Sequence, residues 1–151
     1  MTVNYPDGFD QSVMQNKPIC GVLAVALAAG VAYDVAHSAC KRHMPSHAKR
    51  FRGGTYSGQR EKALRDLGIC FTNFNLDNTT VLEFCAERAS FNDSRIYLIQ
   101  IRAHVITFKN GFLIDQSICK PWQMYHHPRI KIKSVTRIDG SIWDKLNEQT
   151  T

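Results

Sequence analysis

The chain has no CxxC pair, no internal repeat, no low-complexity run and no apolar stretch of membrane-spanning length. Each absence excludes something. The longest apolar stretch, Ile19 to Ala32, falls short of the ~20 residues a bilayer-spanning helix needs. It is also too Ala-rich and too far from a basic N-terminus to read as a signal peptide, so no membrane partner is expected. Five cysteines (Cys20, Cys40, Cys70, Cys85, Cys119) are an odd, widely spaced set. They argue against a disulfide framework and for reduced thiols in a cytoplasm-like compartment. Without repeats or linkers, 151 residues are most simply one domain with a proper core.

What is present begins with charge. The formal net charge is +6, concentrated in "CKRHMPSHAKRFR" (40–52) and "HHPRIKIKSVTR" (126–137). Such patches can hold phosphates, so a basic nucleic-acid-binding protein is one reading. No aromatic-interleaved platform or zinc-finger or RNA-binding signature accompanies them, and solvated faces are the simpler explanation. His37, Cys40, His43 and His47 offer a metal-like spacing. Pro45 and the surrounding basic residues work against it, and no metal or other cofactor is expected.

Helices come first in the chain and strands second. An extended arm (1–14) precedes a helix at about Cys20–Ala29 that is apolar nearly all round, as a helix buried on every side would be. Further helices follow at about Ala32–His43, in "QREKALRDLG" and in "DNTTVLEFCAERA", with a short strand at 69–76. In the second half, "RIYLIQIRA" (95–103) and "HVITFKNGFLIDQ" (104–116) alternate, the latter around an Asn-Gly pair that signals a tight hairpin. "RIKIKSVTRI" (129–138) adds a strand with a parity shift near Ser134 that suggests a bulge. Residues 139–151 read as a tail. This is an α+β domain: a buried N-terminal helix packed on a small antiparallel sheet.

The hairpin allows positions to be worked out. With Asn110 and Gly111 as the loop, Phe108 faces Leu113, Ile106 faces Asp115 and His104 faces Ser117. His104 and Asp115 then share a face as diagonal neighbours about 7–8 Å apart. A carboxylate beside an imidazole fixes its tautomer and stabilises imidazolium. Such a pair calls for a nucleophile, and Cys20 stands at a helix N-terminus, where free amides and the macrodipole favour thiolate. The same amides can hold an oxyanion, and Gln15 or Asn16 just upstream could add a donor. The other four cysteines read as structural, while loop 44–60 and segment 117–128 are candidates to flank the cleft.

These residues carry a resemblance. Cysteine before a long apolar helix, then histidine, then an acid on the next strand is the chain order of papain-like cysteine peptidases. "CGVLAVALAAGVAYDVAHSACKR", "GGTYSGQREKALRDLG" and "SRIYLIQIRAHVITFKNGFLIDQ" resemble, in order, segments of small phage and bacterial cysteine peptidases of that fold. The likeness spans about residues 15–116. It implies a papain-like core, Cys20 as nucleophile, His104 as general base and acid, and Asp115 as orienter. A peptide or protein substrate and a phage-encoded protein in a bacterial cytoplasm go with it. Transglutamination and peptidoglycan amidase chemistry would use the same triad. Two departures stand out: the family's oxyanion glutamine lies one residue further upstream than Gln15, and Ala103 stands where glycine is common.

Overall fold

The structure, a computed structural model, describes residues 3–149 apart from 47, 49, 52, 77 and 128. Its centre is α2 (Cys20–Ala29), which follows the short α1 (Gln11–Met14). Gly21 through Ala28 of α2 are all buried, so apolar burial rather than capping holds this helix. Each fully buried Val or Leu contributes about 1.5–3 kcal/mol. The N-cap position is Ile19, which has no side chain able to cap, and Gly30 closes the helix at φ 66°, a conformation glycine adopts without strain. The chain then bends by 114° into α3 (Tyr33–Arg42).

Next come α4 (Ser57–Asp66), β1 (Ile69–Asn75), α5 (Val81–Ser90), β2 (Tyr97–Ile101), β3 (His104–Lys109), β4 (Phe112–Ile114), β5 (Cys119–Pro121), β6 (Ser134–Ser141) and α6 (Ile142–Gln149). The six strands form one antiparallel sheet in the order β1-β6-β2-β3-β4-β5. Strand alternation sends Leu98 and Val105 into a core with α2, α3 and α4. It sends Tyr97, Ile99, Ile101, Ile106, Phe108 and Leu113 into a second core under α5. The molecule is thus α+β with helices on both faces of the sheet. Among the described residues, no single helix is long and apolar enough to cross a membrane.

The hairpin register matches expectation where it was most constrained: Phe108 pairs with Leu113. Four expectations need correction. The pairing does not continue to Ser117, because the ladder ends at the Thr107–Ile114 pair and the chain turns at Asp115, whose amide donates to Ile118 O at 2.9 Å. β5, which pairs on the far side of β4, was missed. The last long strand begins at Ser134 rather than 129, and its irregularity lies opposite Cys70–Phe71, where β1 pairs first with Gly140 and then with Ile138. Lys131 makes only a lone bridge to Thr80. The two chain ends are also more regular than read: part of the arm is α1, and the supposed tail holds the end of β6 and α6.

Candidate functional site

Cys20 opens α2, and no side chain caps that end. The first amide of the region to find a helical acceptor is that of Leu23, which donates to Ile19 O at 3.0 Å. The amides of Cys20, Gly21 and Val22 have no such acceptor among the described residues, as expected for a helix start. The N-terminus of α2 lies at the part of β3 that β4 does not reach. In the β2–β3 ladder Val105 sits opposite Gln100, and it lines the same cavity as Cys20.

His104 and Asp115 meet, although the ladder expected to align them stops at Ile114 and a turn presents the carboxylate instead. His104 Nε2 lies 2.9 Å from Asp115 Oδ2, which leaves Nδ1 for the thiol, and Cys20 and His104 line one cavity and shift each other's ionisation. The turn that ended the ladder is what holds the acid. Asp115 Oδ1 accepts the amides of Ser117 at 2.7 Å and Ile118 at 2.9 Å. Its backbone carbonyl accepts Tyr5 Oη at 2.9 Å. With only 9% of its surface exposed, Asp115 has little freedom to rotate away from the imidazole.

The electrostatics form a consistent set. Burial pushes the Asp115 carboxyl up, but the His104 bond, the two amides and the His104 charge outweigh it and hold the group below its ordinary value. Asp115, then Cys20, lift His104 from 6.5 to about 9 against the opposing effect of burial. Burial likewise pushes the Cys20 thiol up. The His104 bond, the Val105 amide and the charges of His104 and Arg60 overcome it, and the thiol ends below its ordinary value. The pair therefore favours thiolate and imidazolium. Other thiols move the opposite way: burial pushes Cys40 to about 11 and Cys85 to about 12, and raises Cys119.

A cavity of about 380 Å³ opens beside the sulfur, lined in part by Cys20, His104, Thr55, Tyr56, Arg60 and Gln100. Its far wall is carried in by a close approach of the Thr55 side chain to Gly21. A Cβ on Gly21 would stand 1.7 Å from Thr55 Oγ1, so only glycine after the nucleophile lets loop 53–55 seat on α2. Arg60, 9% exposed, donates from Nη1 to Thr55 O at 3.3 Å and Oγ1 at 3.2 Å, and from Nη2 to Gln100 Oε1 at 2.6 Å. Gln100 Nε2 in turn donates to Ile101 O at 2.7 Å and His104 O at 2.9 Å, tying the wall to the backbone of the histidine.

Sequence reasoning missed Arg60 and Gln100. Arg60 is the last residue of loop 44–60, a segment expected to flank the cleft, but nothing set it apart there, and it sits on a helix whose other charged residues are exposed or half-buried. Only its burial marks it, and burial is a tertiary property. Gln15 and Asn16 do not join the site: both are exposed and neither lines the cavity. The reason is α1, whose C-cap is Gln15. There the Gln15 backbone carbonyl accepts Ser117 Oγ at 3.5 Å. Of the two segments expected to flank the cleft, residues 55–57 and 60 do so, whereas no described residue of 117–128 lines it.

The histidine and cysteine set of α3 is dispersed. Cys40 is fully buried in the core, His37 packs on Phe51 at 4.8 Å between ring centroids, and His43 Nε2 lies 2.5 Å from Asp66 Oδ2. His47 lies outside the described residues. Ala103, where glycine would be at ease, adopts φ 55° directly before His104. It ends the two-residue turn that pairs Ile101 with His104. No family model, curated protein or solved structure matches the chain.

Proposed function

We propose that this protein is a cysteine peptidase with a papain-like core, cleaving peptide or isopeptide amides through a thioester on Cys20. One observation carries the reading: a thiol at an uncapped helix start shares a cavity with an imidazole that a buried, amide-held carboxylate orients. Such a set is what nucleophilic acyl transfer needs, because nucleophile, proton carrier and orienter are already gathered at one site.

In the proposed reaction the thiolate attacks the carbonyl carbon and a C–S bond forms as the carbonyl electrons move to oxygen. The unclaimed Cys20 amide is positioned on the nucleophile itself to donate to that oxyanion. His104 imidazolium gives its proton to the leaving nitrogen, the C–N bond breaks, and a thioester remains. Neutral His104 then takes a proton from water, whose oxygen attacks the thioester. Collapse releases the acid and restores the thiolate–imidazolium pair. Asp115 does not exchange protons; it holds Nε2–H and keeps Nδ1 aimed at sulfur.

The test is a mixed peptide library incubated with wild type and with Cys20→Ala, read by mass spectrometry for new termini. Cleavage by wild type alone is expected. Ammonia loss with new cross-links would assign transglutamination instead. No Cys20-dependent change, together with nucleic-acid affinity lost on neutralising Arg129, Lys131 and Lys133, would replace the enzyme with a basic binding protein.

A further inference from the structure

Resting on the thiol-hydrolase reading above, we propose that Arg60 determines specificity, holding a carboxylate of the acyl donor in the cavity beside Cys20. Buried arginines are ordinarily paired with an acid. Arg60 is buried yet has no carboxylate within ion-pair distance among the described residues. Its partners are neutral oxygens of Thr55 and Gln100. These use only part of the five N–H donors a guanidinium presents, and the group lines the cavity that contains the nucleophile.

In the resting protein the negative sulfur partly compensates this cation, since each shifts the other's ionisation. Acylation removes that charge, because a thioester sulfur is neutral. From that moment the buried guanidinium lacks a counter-charge unless the substrate brings one. A carboxylate fits the fork geometry of arginine. The hydroxyls of Thr55 and Ser57, which share the cavity wall, can complete its hydrogen bonding. The interaction with substrate is therefore strongest as the acyl-enzyme forms, where it promotes turnover rather than binding alone.

The experiment compares alkylation of Cys20 by iodoacetate, an anion, with that by neutral iodoacetamide of the same reach. The ratio of the two rates cancels the thiolate fraction, which Arg60 also influences. Arg60→Gln is expected to lower the iodoacetate-to-iodoacetamide ratio by about 10-fold, and Arg60→Lys to hold it within about threefold. Ser57→Asp sets a competing carboxylate in the same cavity from an exposed helix start and leaves Arg60 untouched. It is expected to lower the ratio similarly, which keeps the test valid should Arg60→Gln unfold.

Protection of Cys20 from iodoacetamide names the source of the carboxylate. Better protection by N-acetyl-glutamate α-amide assigns a side chain, and better protection by N-acetyl-glutamine a chain end. A ratio unchanged by both Arg60→Gln and Ser57→Asp would overturn the proposal, as would equal protection by N-acetyl-glutamine amide. Failure of Cys20 to alkylate ahead of the other thiols would instead overturn the hydrolase reading.

Discussion

Replacing Asp115 with asparagine is expected to disable the site even though asparagine is nearly isosteric. Asp115 Oδ1 accepts two backbone amides while Oδ2 accepts His104 Nε2–H. An asparagine must keep its oxygen toward the two amides, because an NH₂ there would oppose two donors. Its NH₂ then points at Nε2, which must become an acceptor, and the imidazole proton moves to Nδ1, facing Cys20. That is the wrong tautomer for a base, and it disfavours imidazolium. Asp115 is the largest of the causes that lift His104 from 6.5 to about 9. Losing about two pH units of that lift disfavours the charged pair ~100-fold. The remaining thiolate is more nucleophilic by about half that on a logarithmic scale. Iodoacetamide alkylation of Cys20 near neutral pH, followed by peptide mass mapping, should therefore slow ~10-fold, and turnover should fall by about 10²–10⁴. An Asp115→Asn protein that alkylates at the wild-type rate would refute the reasoning.

Other consequences follow from the same contacts. Ala103→Gly should stabilise the fold by about 0.5–1 kcal/mol. The left-handed conformation costs an L-residue ~1–2 kcal/mol, while glycine's looser unfolded chain takes back part of the gain; a lower melting temperature would contradict this. Gly21→Ala should destabilise by about 1–3 kcal/mol and slow selective Cys20 alkylation, since the side chains of Thr55 and Arg60 must shift in the cavity wall. In Cys20→Ala, His104 keeps Asp115 as partner, and a raised histidine stabilises fully below its unfolded value and loses that contribution as pH climbs through its folded one. Urea-unfolding stability of Cys20→Ala should thus decline as pH climbs above 6.5, through a folded value that Asp115 still raises but that lies below the wild-type one because the contribution of Cys20 is gone. Wild type should decline less, because its depressed thiol contributes stability that grows over the same range. Equal slopes would argue against the coupled pair.

Much of this site could be read from local pattern. The all-round apolar helix starting at Cys20 and the hairpin at Asn110–Gly111 are local signals, and strand parity alone put His104 and Asp115 on one face. What escaped is non-local. The turn at Asp115 ends the ladder because the carboxylate finds amides two and three residues on, an outcome alternation does not encode. Gln15 looked like an oxyanion donor until α1 claimed its backbone. Arg60 and Gln100 became site residues only through burial against each other, and Gly21 shows its necessity only once loop 53–55 is laid over it.

The most direct measurement of the central claim is the ultraviolet absorbance of thiolate, taken as the difference between wild type and Cys20→Ala across a pH titration. A thiolate signal already present at about pH 6–7, well below the ~8.5 of a free cysteine, is the predicted result. A signal that appears only at or above that ordinary value would mean that His104 does not hold the proton of Cys20, and would contradict the account.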